Sequence, residues 1–198
     1  MNPGARIKDL PWKPEGLVLD PFAGKRQWWR GADARVIFVD RYYHEPGTVC
    51  ASATQLPFAD ATFDQAWADP PHFIRKSPLR SSRFGAENKR VVDRHGNKSG
   101  DGRCYFGAYP TRDVAYAEWV GVARELHRVV KPGGALVWKS ITGAKTVSQC
   151  VNDDDLMRCL DPWWNIAGYV STKSRVTWSS AQTVHTLWKR RALYVKAA

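Results

Sequence analysis

The sequence lacks the cysteine and glycine spacings that identify several common classes of protein. Its four cysteines (Cys50, Cys104, Cys150 and Cys159) form no Cys-x-x-Cys pair, so neither a zinc site nor a disulfide framework is indicated. We expect no bound metal and a reducing, cytoplasmic setting inside a cell. A dehydrogenase is disfavoured because no Gly-x-Gly-x-x-Gly follows the first predicted strand.

Long apolar runs are missing as well. The first residues contain no apolar core of signal-peptide length, and no later stretch approaches the length of a membrane span. We therefore expect no membrane partner. The chain has 198 residues, of which 43% are hydrophobic, and this is enough for one domain, residues 1–198, with a proper core.

Acidic residues are scarce relative to basic ones. There are 19 of them against 30 lysines and arginines, which gives a formal charge of +11. Such an excess favours a polyanionic partner, and nucleic acid fits better than an anionic membrane surface. The ten tryptophans suit either the core or base stacking.

Most of the net positive charge lies in one polar segment. Between Arg75 and Arg112 there are ten basic and three acidic residues, a net charge of +7. A run of this kind is often only a solvated surface. Its position here favours a basic insertion, at about 74–112, that grips nucleic-acid phosphates. The candidate phosphate contacts in and beyond it are Arg75, Lys76, Arg80, Arg83, Lys89, Arg90 and Lys139, the last of which could instead be simply exposed.

Short apolar runs alternate with turns and helical patterns, which is typical of an α/β sheet. Predicted strands cover 17–19, 36–39, 63–68 and 135–138, and helical periodicity covers 113–130. A helix at 153–160 and strands near 166–171 and 185–188 complete the pattern. Residues 1–15 suggest an extended arm, residues 25–30 suit a helix, and His185 is interpreted as structural.

Three of the predicted strands end in an aspartate. Asp20 opens a turn that closes at Gly24, where a ligand can approach the backbone closely. Asp40 follows the second strand at the spacing that suits a ribose-binding acid, although a lone acid there can also be a cap. Asp69-Pro70-Pro71-His72 follows the next strand, where open α/β sheets place their ligands. Taken alone, it would be an ordinary turn.

These motifs together resemble a known family. The motifs LVLDPFAG, VIFVD, LPFADATFD, ADPPH and ELHRVVKPGGALVWKS are similar to those of class I S-adenosylmethionine-dependent methyltransferases, and the likeness runs from about Leu17 to Lys189. Within that class, Asp-Pro-Pro before an aromatic residue resembles the DNA amino-methyltransferases acting on adenine N6 or cytosine N4. The resemblance implies a Rossmann-like, mostly parallel sheet with an antiparallel last strand, flanked by helices. It also implies S-adenosyl-L-methionine as the cofactor. Methyltransferases of this size and motif set resemble those that phages and mobile elements carry to protect DNA from restriction.

The resemblance assigns roles to individual residues. It implies that the catalytic residues are Asp69, Pro70, Pro71 and His72. The residues it implies for the cofactor are Asp20, Phe22 and Gly24 at its methionine part, Asp40 at the ribose, and Ser52, Ala53 and Leu56 near the adenine. Leu56 could instead merely belong to the core.

The chain departs from the family at two places. Lys25-Arg26-Gln27 stands where relatives usually have a second glycine, and His72 replaces the usual Tyr or Phe. An imidazole can still stack on a base or hydrogen-bond it, but it also titrates near neutral pH. A solvent-facing turn is the alternative for His72.

The resemblance predicts methylation of an exocyclic amine of DNA, with adenine N6 preferred. Asp69 and the Pro70 carbonyl would accept hydrogen bonds from the amine and aim its lone pair at the methyl group. Cytosine N4, an RNA amino group, or an inactive nucleic-acid-binding module stay open, as does a monomer or a homodimer.

Overall fold

The computed structural model describes residues 6–41, 45–71, 73–74, 108–109, 111–142, 153–173 and 182–192. Two α-helices lie in these ranges, α1 (Arg112–Val129) and α2 (Asp153–Leu160). The strands of the same ranges are β1 (Leu17–Asp20), β2 (Arg35–Asp40), β3 (Thr48–Cys50), β4 (Phe63–Ala68), β5 (Phe73–Ile74), β6 (Ala108–Tyr109), β7 (Val130–Thr142), β8 (Trp164–Lys173) and β9 (Gln182–Arg190).

Seven strands form one sheet in the order β3-β2-β1-β4-β7-β9-β8. The pairs from β3 to β7 are parallel, whereas β9 runs antiparallel to both β7 and β8. The predicted fold class, a mostly parallel sheet with an antiparallel last strand, is therefore confirmed. The carboxyl ends of β1, β2 and β4 consequently meet at one edge of the sheet.

Helix α1 covers one face of the sheet. Thr111 caps its start by accepting a hydrogen bond from Val114 N at 3.3 Å. Ala115, Trp119 and Leu126, which share one side of the helix, are fully buried in the larger core. The observed bounds lie one residue from the predicted 113–130, and α2 matches its prediction. Within the described ranges, neither helix is long and apolar enough to cross a membrane.

The opposite face is covered by short turns and tryptophans. A three-residue 3₁₀ turn, Ile7–Asp9, interrupts the described part of the predicted extended arm, and a second one, Gln27–Trp29, takes the place of the predicted helical segment. The reason is burial of the apolar residues of both segments, which pack together against β1, β4 and β7. This second cluster consists of Ile7, Leu10, Val18, Trp28, Trp29, Trp67 and Val137.

At least seven of the ten tryptophans serve the core. These seven are at most 8% exposed, which leaves little ring surface for stacking on a base. Stacking is thus not supported for these seven: Trp28, Trp29, Trp67, Trp119, Trp138, Trp164 and Trp188.

The amino edge of the sheet is joined by Asp64. Its Oδ2 accepts a hydrogen bond from Leu17 N and its Oδ1 one from Lys131 Nζ, both at 2.7 Å. These bonds connect β4 to β1 and β7, and they hold the pKa of the Asp64 carboxyl below its ordinary value. Gly16 must be glycine here, since φ is +66° and a Cβ would lie 2.3 Å from Asp64 Oδ2.

Candidate active site at the carboxyl edge of the sheet

The loop after β1 is folded around the carboxylate of Asp20, which is only 2% exposed. Phe22 N donates to Asp20 Oδ1 at 2.9 Å, and Trp29 Nε1 donates to Oδ2 at 2.6 Å. Burial raises the pKa of the Asp20 carboxyl to about 7, the charges of Asp69 and Asp40 add to the rise, and the two hydrogen bonds oppose it. The structure therefore gives Asp20 a role in shaping the loop, while its predicted cofactor contact stays a prediction.

Gly24 lies at the open end of this loop. Its φ is +44°, in the left-handed region, and a Cβ built there would meet no described atom within 4 Å. Ala23 N donates to Val39 O at 3.0 Å, and Gly24 N donates to Asp40 Oδ2 at 2.9 Å. The glycine loop is thus fastened to the end of β2, and the two predicted cofactor residues, Gly24 and Asp40, are brought into contact.

Arg26 belongs to the segment in which the sequence departs from the family pattern. Its φ of 52° lies in the left-handed region that favours glycine, although the residue is an arginine. Its guanidinium donates to Pro46 O at 2.8 Å and to Thr48 Oγ1 at 2.7 Å, and it stacks 4.2 Å from the Phe38 ring centroid. These contacts offset the strain and tie the loop to the start of β3.

Ser52, Ala53 and Leu56 follow β3. Ser52 is half-buried, and its Oγ shares a hydrogen bond with Thr54 Oγ1 at 2.8 Å. Ala53 and Leu56 are 6% and 4% exposed and belong to the larger core. For Leu56 this favours the core interpretation over a place in an adenine pocket.

Arg128 of α1 clamps the chain that follows. Its guanidinium donates to Phe58 O at 2.8 Å and to Leu56 O at 3.1 Å. It also forms ion pairs with Asp60 and Glu125, both at 2.7 Å, and these raise its pKa above the ordinary value. The segment on which the adenine contacts were predicted is therefore positioned by α1, a link that no motif in the sequence indicated.

Asp69-Pro70-Pro71 is held from both faces of the sheet. On the α1 side, the fully buried Trp119 donates from Nε1 to Pro71 O at 3.1 Å and packs edge to face on Trp138. On the other side, Lys139 Nζ binds Asp69 Oδ2 as an ion pair. The Asp69 side chain keeps 28% of its surface exposed and that of Lys139 keeps 19%. Neither sequence alternative for Lys139, a phosphate contact or a simply exposed position, included this partner.

His185 lies next to Lys139 across the β7–β9 pairing. It is fully buried, and neither ring nitrogen has a hydrogen-bond partner among the described residues. Burial, followed by the charge of Lys139, lowers the pKa of His185 to about 4, and Asp69 opposes the shift. Its ring centroid lies 5.8 Å from that of Trp28. The antiparallel pairing alone places it here, so the sequence carried no signal for this environment.

Several predicted residues lie outside the described part of the chain. They are His72 and the basic residues Arg75, Lys76, Arg80, Arg83, Lys89 and Arg90. The ends of the basic insertion are described, and they meet: Phe73 pairs with Ala108, and Ile74 with Tyr109, in the parallel β5–β6 pair. The insertion therefore starts and finishes beside Asp69-Pro70-Pro71. Within the described ranges, no group of three or more His, Cys, Asp or Glu residues could hold a metal ion.

Known structures share this architecture, although no family model and no curated protein matches the sequence. The 1,6-didemethyltoxoflavin-N1-methyltransferase of Burkholderia thailandensis, solved with S-adenosylhomocysteine, has a TM-score of 0.54 at 11% identity, over 91% of this chain and 72% of that one. The N-methyltransferase NodS of Bradyrhizobium japonicum has a TM-score of 0.52 at 8% identity, over 91% of this chain and 88% of that one. The [4+2]-cyclase SpnF has a TM-score of 0.51 at 12% identity, over 89% of this chain and 76% of that one.

At these identities the likeness establishes the fold, the Rossmann-like sheet of S-adenosylmethionine-dependent methyltransferases. The cyclase among the three shows that this sheet also serves other chemistry. Activity must therefore be argued from the residues at the carboxyl edge.

Proposed function

We propose that this protein transfers a methyl group from S-adenosylmethionine to an exocyclic amino group of a nucleobase in DNA, with adenine N6 as the preferred acceptor. The observation that carries the proposal is the placement of Asp69-Pro70-Pro71. The motif follows β4, next to β1 in the sheet, so it borders the loop after β1, whose Gly24 contacts Asp40. A carboxylate that accepts hydrogen bonds thus lies beside the candidate cofactor site.

The residues after β1 and β2 fit that cofactor. The space beside Gly24 admits a ligand against the backbone, and Asp40 offers a carboxylate that suits ribose hydroxyls. Ser52 is a weaker hydrogen-bonding group for the adenine amine than the acid that relatives usually have. When bound, S-adenosylmethionine supplies an electrophilic methyl group on a sulfonium.

Asp69 can activate the exocyclic amine, which is the methyl acceptor. The lone pair of an exocyclic amine is delocalised into the ring, so the nitrogen is a poor nucleophile. A carboxylate that accepts one N–H draws the amine toward tetrahedral geometry and orients it. Trp119 fixes the Pro71 carbonyl and thereby the direction of the motif. The proton that the nitrogen must lose can pass to Asp69 before water takes it.

Charge and connectivity support DNA as the substrate. The insertion between Arg75 and Arg112 has a net charge of +7, and its described ends lie beside the motif. A basic segment anchored there can hold phosphates while the target base is turned out of the duplex. We further propose that His72 stacks on the turned-out base.

Two neighbours with the same fold support nitrogen as the acceptor. The Burkholderia protein is named an N1-methyltransferase and NodS an N-methyltransferase. Neither name mentions a nucleic acid, so the DNA substrate rests on the basic insertion and on the Asp-Pro-Pro motif.

The test is methyl transfer from labelled S-adenosylmethionine to DNA and to RNA, followed by digestion and mass spectrometry of the nucleosides. We expect N6-methyladenine in DNA. N4-methylcytosine or methylated RNA would change the acceptor and keep the reaction. Binding of DNA without transfer to any nucleic acid would contradict the proposal and indicate a nucleic-acid-binding module.

A further inference from the structure

Lys139 and Asp69 occupy matched positions at the carboxyl ends of two neighbouring strands. In the parallel pairing of β4 with β7, Ala68 lies opposite Trp138, so the next residue of each strand is Asp69 or Lys139. Lys139 Nζ contacts Asp69 Oδ2 and lies 5.5 Å from the ring centroid of Trp28. The sheet therefore presents a hydrogen-bond acceptor and a hydrogen-bond donor side by side.

Stability alone does not account for this pair. With side chains 28% and 19% exposed, an isolated ion pair contributes about 0–1 kcal/mol. The buried carboxylate of Asp20 lies close enough for the charge of Asp69 to raise its pKa, so the charges at this edge also cost free energy. An acceptor and a donor that stay partly exposed at the edge where parallel sheets bind their ligands are candidates for contact with a ligand.

We propose that Lys139 determines base specificity. In this proposal the exocyclic amine of the base donates a hydrogen bond to Asp69, and Lys139 donates one to the neighbouring ring nitrogen. This inference rests on the function proposed above. Adenine presents N6–H beside N1, and cytosine presents N4–H beside N3, so both offer a donor and an acceptor in the order that Asp69 and Lys139 require. Thymine and uracil present the opposite order and are rejected.

The same geometry predicts which kinetic constant changes. A donor at the ring nitrogen draws electron density away from the amine, so it does not make the amine more nucleophilic. The contact with Lys139 should therefore strengthen binding of the base and lower KM, while kcat stays the same or rises slightly when Lys139 is replaced. Lys139 is thus reassigned from a phosphate contact to a base contact.

The test compares three single-stranded oligonucleotides of the same mixed sequence. Their adenine positions all carry adenine in the first, 1-deazaadenine in the second and 7-deazaadenine in the third. Binding is measured by fluorescence anisotropy with S-adenosylhomocysteine present, and KM and kcat are measured separately. For wild type we expect 1-deazaadenine to weaken binding and raise KM by about tenfold, because it lacks the N1 acceptor. The 7-deazaadenine strand, which keeps N1, should behave like adenine. If cytosine is the acceptor, 3-deazacytosine takes the place of 1-deazaadenine.

The variants separate this role from a structural one. Lys139→Met should bind adenine and 1-deazaadenine within about twofold of each other, whereas Lys139→Arg, which keeps a donor, should retain discrimination. Lys131→Met, the matched lysine at the other end of β7, should discriminate as wild type does. Thermal unfolding checks that each variant is folded.

Two results overturn the inference. Undiminished discrimination in Lys139→Met, or equal treatment of adenine and 1-deazaadenine by wild type, refutes the role of Lys139 while methyl transfer stands. Absence of transfer by wild type to any base refutes the proposed function and this inference with it.

Discussion

Strand β4 carries two aspartates that pair with two lysines of β7, one pair at each edge of the sheet. At the amino edge, Asp64 binds Lys131 and also accepts a hydrogen bond from Leu17 N, and the side chains of this ion pair are 38% and 44% exposed. At the carboxyl edge, Asp69 binds Lys139 beside two buried titratable groups. Those groups are Asp20 and His185, whose pKa values are moved to about 7 and about 4.

The two Asp–Lys ion pairs are of the same kind, but their surroundings give them different roles. Around Asp64 every contact lowers the free energy of the charged form, as the lowered pKa of its carboxyl shows. Around Asp69, burial favours the neutral forms of Asp20 and His185. Charges arranged at a cost are typical of binding and catalytic sites. We interpret the amino edge as structural and the carboxyl edge as functional.

The largest expected difference between the two edges is in activity, measured after each aspartate is replaced by alanine. Asp69→Ala removes the acceptor for the amine, and we expect the rate of methyl transfer to DNA to fall by about 100-fold or more. Asp64→Ala, at the other end of β4, should change the rate by less than about threefold. Equal rates in the two variants would contradict the roles assigned to the edges.

Of the two edges, only the carboxyl edge should contribute a pH dependence of stability between pH 4 and pH 7. The pKa of Asp20 is raised, so its contribution is complete below pH 4 and is lost as the pH rises through about 7. The pKa of His185 is lowered, so its contribution is present above pH 6.5 and is lost as the pH falls through about 4. Each displaced pKa contributes at most about 1.4 kcal/mol per pH unit in this window.

Single replacements separate these opposing effects, measured as the free energy of unfolding in urea at several pH values. Relative to wild type, Asp20→Asn should lose more stability on acidification, and His185→Phe should lose less. Asp64, with its lowered pKa, should matter only below about pH 4. Parallel pH profiles for wild type and both variants would show that Asp20 and His185 do not titrate as described.

The order of the two aspartates should reverse when stability is measured at pH 7. Asp64→Ala leaves Leu17 N without its partner and breaks an exposed ion pair, which together cost about 1–2 kcal/mol. Asp69→Ala should cost less, because its partner among the described residues is Lys139, which keeps the Trp28 ring nearby. A larger loss for Asp69→Ala in urea unfolding would assign the structural role to the carboxyl edge.

The smallest expected effect is a change in the pKa of Asp20 itself. Asp69 raises that pKa through its charge, so Asp69→Ala should lower it from about 7. Asp64→Ala should leave it unchanged. Titration of the carboxyl carbon of Asp20 by NMR measures the shift, and an unchanged pKa in Asp69→Ala would show that the two carboxylates do not interact.

Patterns local to the chain were sufficient to predict β1, β2 and β4 and the aspartates at their carboxyl ends. They missed β3, and they gave β7 as 135–138 although it spans Val130–Thr142. The apolar runs and the turns that follow them placed Gly24, Asp40 and Asp69 at one edge, as the structure shows. The contacts around these residues were not predictable, because they join segments far apart in sequence. Trp119 reaches Pro71 and Arg128 reaches Phe58 across the fold, and no spacing in the chain encodes either pair.

The face opposite α1 shows the same limit. Residues 25–30 suit a helix by composition, yet Arg26 adopts a left-handed conformation, and burial of Trp28 and Trp29 against the sheet leaves only a three-residue turn. Tertiary packing thus overrode a local propensity. Lys139 and His185 became neighbours only because β9 returns antiparallel beside β7.

The most direct test of the carboxyl edge as a cofactor site is the affinity for S-adenosylmethionine, measured by isothermal titration calorimetry. We expect wild type and Asp64→Ala to bind with the same Kd within about twofold. Asp40→Ala, which loses the acid expected at the ribose, should bind at least about tenfold more weakly. No binding by wild type, or equal binding by Asp40→Ala, would contradict the account.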